Sequence, residues 1–336
     1  MVATSQSSSV SAVEVYERRC AVIVVSFQSE AVLGLGVQSL VDAGLGAATV
    51  IVDNASLDGS AQVARSFAAA GVTVVEESDN TGFAGGCNRG FAVAPREFPY
   101  LAFMNPDVRV SVGCLDRCLR VMERRPEVGC VAPLLLRPGG VTVDSAGQVL
   151  HKLTLEVEDR GYGRPAADLA MCSGNVLAAC GALAVFRRRA LEDVCLDNGP
   201  WDERFFCFWE DLEMGWRLTN AGWKVVFEPG AVAEHVRGAG AQPGTGPLRW
   251  RRPVELEACI VSNRWMTLIR HLHFLDLLPR IPILLGRDIL TTGAGMLRRP
   301  ALAWHLGRRL PLVMKTLKER RGGMRKRLAE LAWSSG

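Results

Sequence analysis

Nowhere in the 336-residue chain do about 18 uncharged apolar residues run together, so the signature of a membrane-crossing helix is missing. The ten cysteines form no C-x-x-C pair and no spacing typical of a zinc site or a small disulfide framework. They read as reduced, mainly buried small hydrophobes. The first strongly apolar run, Ala21 to Val25, is too short for the core of a secretory signal and comes after a polar, Ser-rich stretch, so a cytoplasmic location is expected. That run leads into Ser26-Phe27-Gln28-Ser29-Glu30, which holds no glycine where a dinucleotide-binding G-x-G-x-x-G turn would stand. A dinucleotide-dependent oxidoreductase is thereby disfavoured, although the strand pattern alone would allow one.

What is present is a chain 49% hydrophobic and 22% charged, enough apolar material for one large core or for a catalytic domain with an appendage. Charge is unevenly placed. From Pro247 onward there are 18 Lys/Arg and 6 Asp/Glu, so an overall charge of +4 leaves the preceding part net acidic by about 8. Residues 1–18 read as a flexible tail, 19–240 as a catalytic domain and 241–336 as a basic amphipathic helical region, joined through the Gly/Pro-rich stretch Arg237 to Pro247.

In the catalytic domain, Cys20 to Ser26 and Ala48 to Val52 are continuous apolar runs of the kind a buried parallel strand needs. Ser29 to Ala43 between them has helical spacing, and Gly44 and Gly46 supply its exit. The unit repeats: Gly59 to Ala70 reads as helix, Val72 to Val75 as strand, Gly85 to Ala94 as helix and Tyr100 to Met104 as strand. Val131 to Leu136, Ala178 to Phe186 and Trp223 to Glu228 are further strands, with a helix at Trp209 to Ala221. The alternation predicts an α/β fold with a mostly parallel central sheet that binds ligands beyond the carboxyl ends of its strands.

The polar clusters fall at those ends. Asp53, where a strand stops, is placed to accept hydrogen bonds from a base or ribose, whereas Ser56 and Asp58 suit a turn and helix cap equally well. Asn80 to Gly90 carries closely spaced glycines that permit close backbone approach to a ligand, or simply make a turn. Asn105-Pro106-Asp107 comes after the fourth strand and points a hard oxygen ligand outward, as Mg²⁺ or Mn²⁺ on phosphates requires; an Asx-type turn is the plain alternative. Glu210-Asp211 sits at a helix start behind an aromatic stretch, where low polarity raises a carboxyl pKa toward that of a general base. Glu213 reads as an ordinary complement to the helix dipole. His235 closes the series.

Taken together these motifs resemble the family-2 inverting glycosyltransferases of the GT-A (nucleotide-diphospho-sugar transferase) fold, especially their rhamnosyltransferase-like branch, over roughly Ala21 to His235. The resemblance implies donor contacts from Ser26, Asp53, Asn80, Gly82, Phe83, Gly85, Asn88, Asn105 and Asp107. Asn105 stands where the family's metal-binding D-x-D has its first Asp, so Asp107 and His235 are the implied metal ligands. Glu210 and Asp211 match the catalytic acidic pair, with Asp211 as base. Gly181 and Ala182, on a small-residue strand, and Trp201 and Asp202, on a loop, match the acceptor pocket. The implied activity is transfer of a sugar, rhamnose from dTDP-rhamnose being the best match, to a hydroxyl of a glycan or polyprenyl-linked glycan; a sugar-nucleotide-binding protein without turnover is the alternative.

Beyond Pro247 apolar clusters such as Phe274 to Leu278 and Ile281 to Leu285 are broken by cations, a mixture suited to helices in the headgroup region of an anionic membrane. A helical subdomain with a solvated basic face is the plainer reading. Asn263-Arg264 resembles the segment after the catalytic domain in lipid-linked rhamnosyltransferases, which points to a peripheral enzyme on the inner face of the cytoplasmic membrane, with no nucleic-acid partner.

Overall fold

In the computed structural model the described residues are 19–151, 153–169, 173–237, 253–320, 326 and 328–330. The expected tail at 1–18 and most of the 237–247 connection lie outside them.

Strand β1 (Cys20–Ser26) is buried along its whole length, which explains its unbroken apolar sequence. Cys20, Val22 and Val24 face one core layer, and Ala21, Ile23 and Val25 face the other. Helix α1 (Glu30–Asp42), β2 (Thr49–Asp53), α2 (Ser60–Ser66), β3 (Thr73–Glu76), α3 (Gly82–Val93) and β4 (Tyr100–Met104) come next in alternation. The helix expected over Gly59 to Ala70 is broken at Phe67, and its last part is a 3₁₀ turn.

The remaining elements up to His235 are β5 (Val108–Val110), α4 (Cys114–Arg124), β6 (Val128–Leu136), β7 (Val143–Ser145), β8 (Gln148–Leu150), β9 (Val157–Asp159), β10 (Gly174–Asn175), β11 (Leu183–Arg187), α5 (Arg188–Asp193), α6 (Glu210–Asn220) and β12 (Lys224–His235). The main sheet runs β3-β2-β1-β4-β11-β6-β12-β10, with β5 on β12 and β7 on β6. Strands β3, β2, β1 and β4 are parallel, as are β6 and β12. Strand β11 is antiparallel to both its neighbours, so the sheet is mixed beyond β4. The chain reverses its order on either side of β1, and this switch point opens a crevice at the ends of β1, β2 and β4. Ser26 pairs in register with Asp53 there.

Two differences from the sequence reading shape the site. The strand expected over Ala178 to Phe186 begins only at Leu183, so Gly181 and Ala182 form a turn ahead of it. The strand expected to end near Glu228 continues to His235, past a register shift between Glu228 and Val232.

Beyond the second connection come α7 (Val254–His271), α8 (Phe274–Leu277), α9 (Ile281–Arg298) and α10 (Ala301–Glu319). Helix α7 is no loose appendage. Its Asn263 amide donates to the carbonyls of Phe205, Cys207 and Phe208 at 2.7, 3.0 and 2.8 Å. Those carbonyls belong to a segment in which Phe206, Phe208 and Trp209 have φ of 62°, 67° and 73°. Left-handed backbone costs roughly 1–2 kcal/mol per non-glycine residue, so the segment needs such an anchor.

Glu213 lies in the first turn of α6, where an acid complements the helix dipole, but it does more than that. It is 1% exposed and accepts from Arg217 at 2.9 Å, Arg270 at 2.7 Å and His271 at 3.0 Å. Burial opposes its charge, but the two guanidinium groups and the His271 hydrogen bond hold its carboxyl well below the usual range. Burial keeps His271 itself low, so it is the uncharged ring that donates from Nε2 to the Glu213 carboxylate and accepts at Nδ1 from Asn220. Removing one partner of such a buried pair costs about 3–5 kcal/mol, and Glu213→Gln is expected to lower stability to urea by that order at pH 7. Because the folded pKa is depressed, the stabilisation is complete above the ordinary carboxylate range and disappears as pH falls through the folded value. The gap between variant and parent should therefore narrow in acid, and a pH-independent gap would show that charge is not its source.

Candidate active site

At the end of β1 the Ser26 hydroxyl is fully buried with no protein partner, and beside it Asp53 Oδ1 is likewise unpartnered. The other Asp53 oxygen accepts from the backbone of Ser56 at 3.0 Å. Buried polar atoms are nearly always satisfied, so two orphans on register-paired residues at a switch point mark a place built for another polar group.

The loop after β3 does a different job from the one expected. Asn54 donates to Asn80 Oδ1 and to the Gly82 carbonyl, and accepts from the Thr81 backbone, which locks the loop onto β2. Gly82 has φ +74° and lies so close to Phe206 that an added Cβ would stand 2.3 Å from its carbonyl oxygen. A Cβ on Gly85 would meet the Thr81 side chain at 2.5 Å. These glycines admit protein neighbours, and the half-buried Phe83 packs on the core. Asn88 is spent inside the protein too, donating to the Trp201 carbonyl and Glu203 and accepting from the Trp201 backbone. None of Gly82, Gly85 and Asn88 is left free in the way a donor contact requires.

Asn105 ends β4 in a backbone turn, its N–H donating to the Ala182 carbonyl at 2.9 Å while its own carbonyl accepts from Val108. The turn carries Asp107 to the end of β12. There His235 Nε2 lies 3.4 Å from Asp107 Oδ1, and its Nδ1 donates to Asp144 Oδ2 at 2.7 Å. Arg237 Nε reaches the other Asp144 oxygen at 2.5 Å. Burial disfavours charge on the imidazole, but the two carboxylates prevail and push its pKa up to about 9. The pairing holds Asp144 low. A carboxylate behind a ligating histidine is a common support for a metal. Among the described residues no group of three or more His, Cys, Asp or Glu side chains is arranged to hold a cation. Asp107 and His235 nonetheless offer one oxygen and one nitrogen, a set that fits Mg²⁺ or Mn²⁺ completed by phosphate oxygens and water.

Asp211 begins α6. Its Oδ2 accepts from the Gly181 backbone at 2.9 Å and from Gln148 Nε2 at 2.7 Å, and its Oδ1 accepts from Leu212 at 2.8 Å. Burial raises its pKa, and these donors hold it back. Glu210 is buried with Oε2 unpartnered, and burial together with the Asp211 charge pushes its pKa well above the ordinary carboxylate value. Asp159 opposes Gln148 across the β8–β9 ladder; burial, with the Asp211 and Asp144 charges adding, pushes it up to about 6. One hairpin region thus supplies Asp144 to His235 and Gln148 to Asp211, which links the Asp107–His235 pair to Asp211 through residues 144–148. Asp144, Gln148, Asp159 and Arg237 carry no sequence signal of their own; only tertiary pairing reveals them.

Two residues matched to the acceptor pocket are placed elsewhere. Trp201 is 3% exposed, with its ring 4.2 Å from that of Phe103 and 5.8 Å from that of Phe186, so it fills the core. Asp202 is tied to Arg204 and Arg270 and helps dock α7. Gly181 contributes its backbone N–H to Asp211, and Ala182 is buried.

The sheet order and the site at its switch point define a transferase fold of the GT-A type. Residues 21–195, just over half of the chain, match the model of Glycosyl transferase family 2, and the chain belongs to that family. It is 29% identical over 205 residues to the N-acetylglucosaminyl-diphospho-decaprenol L-rhamnosyltransferase of two Mycobacterium tuberculosis strains, CDC 1551 / Oshkosh and ATCC 25618 / H37Rv. That match covers 55% of this chain and 65% of the relatives, slightly less than two thirds of their length. Among solved structures, S. aureus TarS 1-349 in complex with UDP-GlcNAc superposes with a TM-score of 0.57 at 13% identity, covering 90% of this chain and 82% of that one. The mannosyltransferase PcManGT from Pyrobaculum calidifontis, in complex with GDP-Man and Mn²⁺, gives 0.53 at 16% identity, covering 90% and 88%.

In the metal-free protein the His235 ring is expected to stay protonated until pH approaches about 9, and Asp144→Asn should lower that value by removing one of the two carboxylates. Titration of its ring resonances by NMR checks this; a midpoint near the ordinary 6.5 would mean that the carboxylates do not govern it.

Proposed function

We propose that the chain transfers a sugar from a nucleoside-diphosphate donor to a hydroxyl of a glycan or lipid-linked glycan, with inversion, Asp211 acting as base. The observation that carries this reading is the Asp211 carboxylate: anchored by three donors, raised by burial, and held by the Gln148 of the same hairpin region whose Asp144 supports His235. Oδ1 accepts a single protein hydrogen bond and so retains capacity for an incoming hydroxyl. Asp211 takes that proton as the acceptor oxygen attacks the anomeric carbon, and no enzyme nucleophile is needed. Burial and the Asp211 charge both disfavour a second negative charge on Glu210 beside it. Asp107 and His235 are the residues that would hold a divalent cation, which would supply neutralisation of the departing diphosphate. Ser26 and Asp53 receive the nucleoside. Rhamnose as the donor sugar and a polyprenyl-diphosphate-linked glycan as acceptor rest on the names of the Mycobacterium tuberculosis relatives.

Residues 19–240 form the catalytic part in this reading, and the helices after it brace it and meet a membrane. No helix among the described residues is long and apolar enough to cross a bilayer. Leu275, Leu285, Ile289, Leu290 and Trp304 are nevertheless exposed, and positions 274–320 hold nine Lys/Arg against three Asp/Glu. Apolar side chains interleaved with cations suit an anionic surface, on the inner face of the cytoplasmic membrane, each cation contributing on the order of 1 kcal/mol.

Incubation with dTDP-rhamnose, Mg²⁺ or Mn²⁺ and an N-acetylglucosaminyl-diphospho-lipid tests the chemistry. Asp211→Asn is expected to slow transfer by roughly 10²–10⁴-fold with donor binding retained, and Asp107→Ala to weaken metal-dependent donor binding. Undiminished transfer by Asp211→Asn would remove the assigned base. The rate should rise with pH through an Asp211 pKa above the ordinary carboxylate range. Gln148→Leu removes a hydrogen bond to the charged form and should move that acidic limb to higher pH. For the membrane, Leu285→Asp with Ile289→Asp should abolish cosedimentation with anionic vesicles, and retention would place the contact elsewhere.

A further inference from the structure

Helix α6 carries Asp211 in its first turn and starts without an ordinary cap. Its N-cap position is Trp209, left-handed at φ 73° and ψ −10°, with no side-chain cap hydrogen bond. An N-cap normally combines extended backbone with a short oxygen-bearing side chain. Earlier in the segment, Phe206 at φ 62° and ψ −69° is the centre of a γ-turn closed by the Cys207 N–H on the Phe205 carbonyl at 2.7 Å, a strained form. Phe208 is left-handed too, at φ 67°. Nothing local therefore holds the shape of the chain that leads into the base.

We propose that Asn263, oriented by Arg309, is a positioning residue for Asp211: it holds the backbone of residues 205–209 in the conformation from which α6 presents the carboxylate. This rests on the transferase reading above, in which Asp211 is the base.

Asn263 is fully buried on α7, and its two amide N–H bonds are shared among the carbonyls of Phe205, Cys207 and Phe208. The Phe206 carbonyl turns the other way and accepts from the Ala84 N–H of α3 at 3.1 Å. The segment is thus tied to α3 on one side and to α7 on the other. A side-chain amide turned over would set its oxygen against three carbonyls, and Arg309 of α10 prevents this. Its Nη2 donates to Asn263 Oδ1 at 2.6 Å and to the Arg204 carbonyl at 2.8 Å, and its Nε donates to Ser262 Oγ. A guanidinium can only donate, so it decides which end of the amide faces the segment. Phe205 also packs with Met266 and Val313, but apolar contact is non-directional and does not select a backbone conformation. The donors that receive Asp211, the Gly181 N–H and Gln148, stand on other elements. Relaxation at residues 206–209 would move the carboxylate away from them, and a misplacement of about 1 Å can cost on the order of 10²-fold in rate.

The test uses the intact chain and two kinds of readout. Sugar transfer gives kcat and donor KM; hydrogen exchange at the Gly181 and Leu212 amides, both donors to Asp211, reports its placing without activity. Asn263→Ala is expected to lower kcat roughly 10–100-fold with donor KM little changed, and to speed exchange at both amides. Arg309→Met keeps the amide and most of the stem, so it should move both readouts in the same direction by less. Glycine takes left-handed backbone freely, so adding Phe208→Gly to Asn263→Ala should restore kcat by about ten-fold and slow the exchange again. A residue that served stability alone would leave folded Asn263→Ala molecules with parental kcat and exchange, or would lose further rate when the glycine is added; either result overturns the assignment. If Asp211→Asn transfers as fast as the parent while Asn263→Ala still frees the two amides, the base is lost and the positioning of Asp211 stands.

Discussion

Too many carboxylates share too little water around this site, and the neighbouring structure answers to that constraint. Asp107, Asp144, Asp159, Glu210 and Asp211 are buried or half-buried within one region, and like charges brought together in a poorly solvated place cannot all stay ionised without compensation. Each is handled differently. Asp144 is held low by His235 and Arg237, Glu210 is pushed well up, Asp159 is raised to about 6, and Asp211 is raised by burial but held back by three donors. A spread of this kind separates groups that carry fixed charge from a group able to take a proton. The imidazolium of His235 balances the Asp107 and Asp144 pair in the metal-free protein, and it is the charge that a bound cation would replace.

The C-terminal helices belong to the same arrangement. Three non-glycine residues in left-handed conformation just before the acidic pair would relax if unsupported, and Asn263 ties the carbonyls of Phe205, Cys207 and Phe208 in the same segment to α7. Arg270 joins the same helix to both Asp202 and Glu213, one on each side of Glu210 and Asp211. The basic region therefore fixes the geometry of the carboxylate it packs behind, while the outer side of α9 and α10 keeps its apolar side chains exposed. One face of these helices packs on the rest of the fold, and the opposite face is the one that the proposed membrane contact would use.

Much of the fold was legible because burial on both sides forces a strand to be apolar without interruption, as at Cys20–Ser26 and Tyr100–Met104, whose bounds match the structure. Shorter or one-sided elements were less so. The Ala178 to Phe186 run is apolar because it is buried, but it is continuous strand only from Leu183: Ala178 makes an isolated bridge to Gln148, and the Gly181 N–H is diverted to Asp211. Strand β12 outran its expected end because a register shift between Glu228 and Val232 carries it past Pro229 and Gly230.

By itself the sequence determined the alternation of strands and helices, the placing of Ser26, Asp53, Asn105, Asp107 and Asp211 at strand ends or helix starts, and the concentration of positive charge after Pro247. All of these are written in local periodicity and composition. Tertiary structure alone decided which carboxylates meet. Asp144 and Gln148 are ordinary residues in a short hairpin until folding sets them against His235 and Asp211, and Glu213 looked like a first-turn acid until two arginines and a histidine closed on it. Likewise Trp201, Asn88 and the glycines of the third loop gave a pattern that suits ligand contact and protein contact equally, and only packing density separates the two. The physical reason is range: hydrophobic period is a property of neighbours along the chain, whereas a pKa or a hydrogen-bond partner is set by whatever lies within a few ångströms in space.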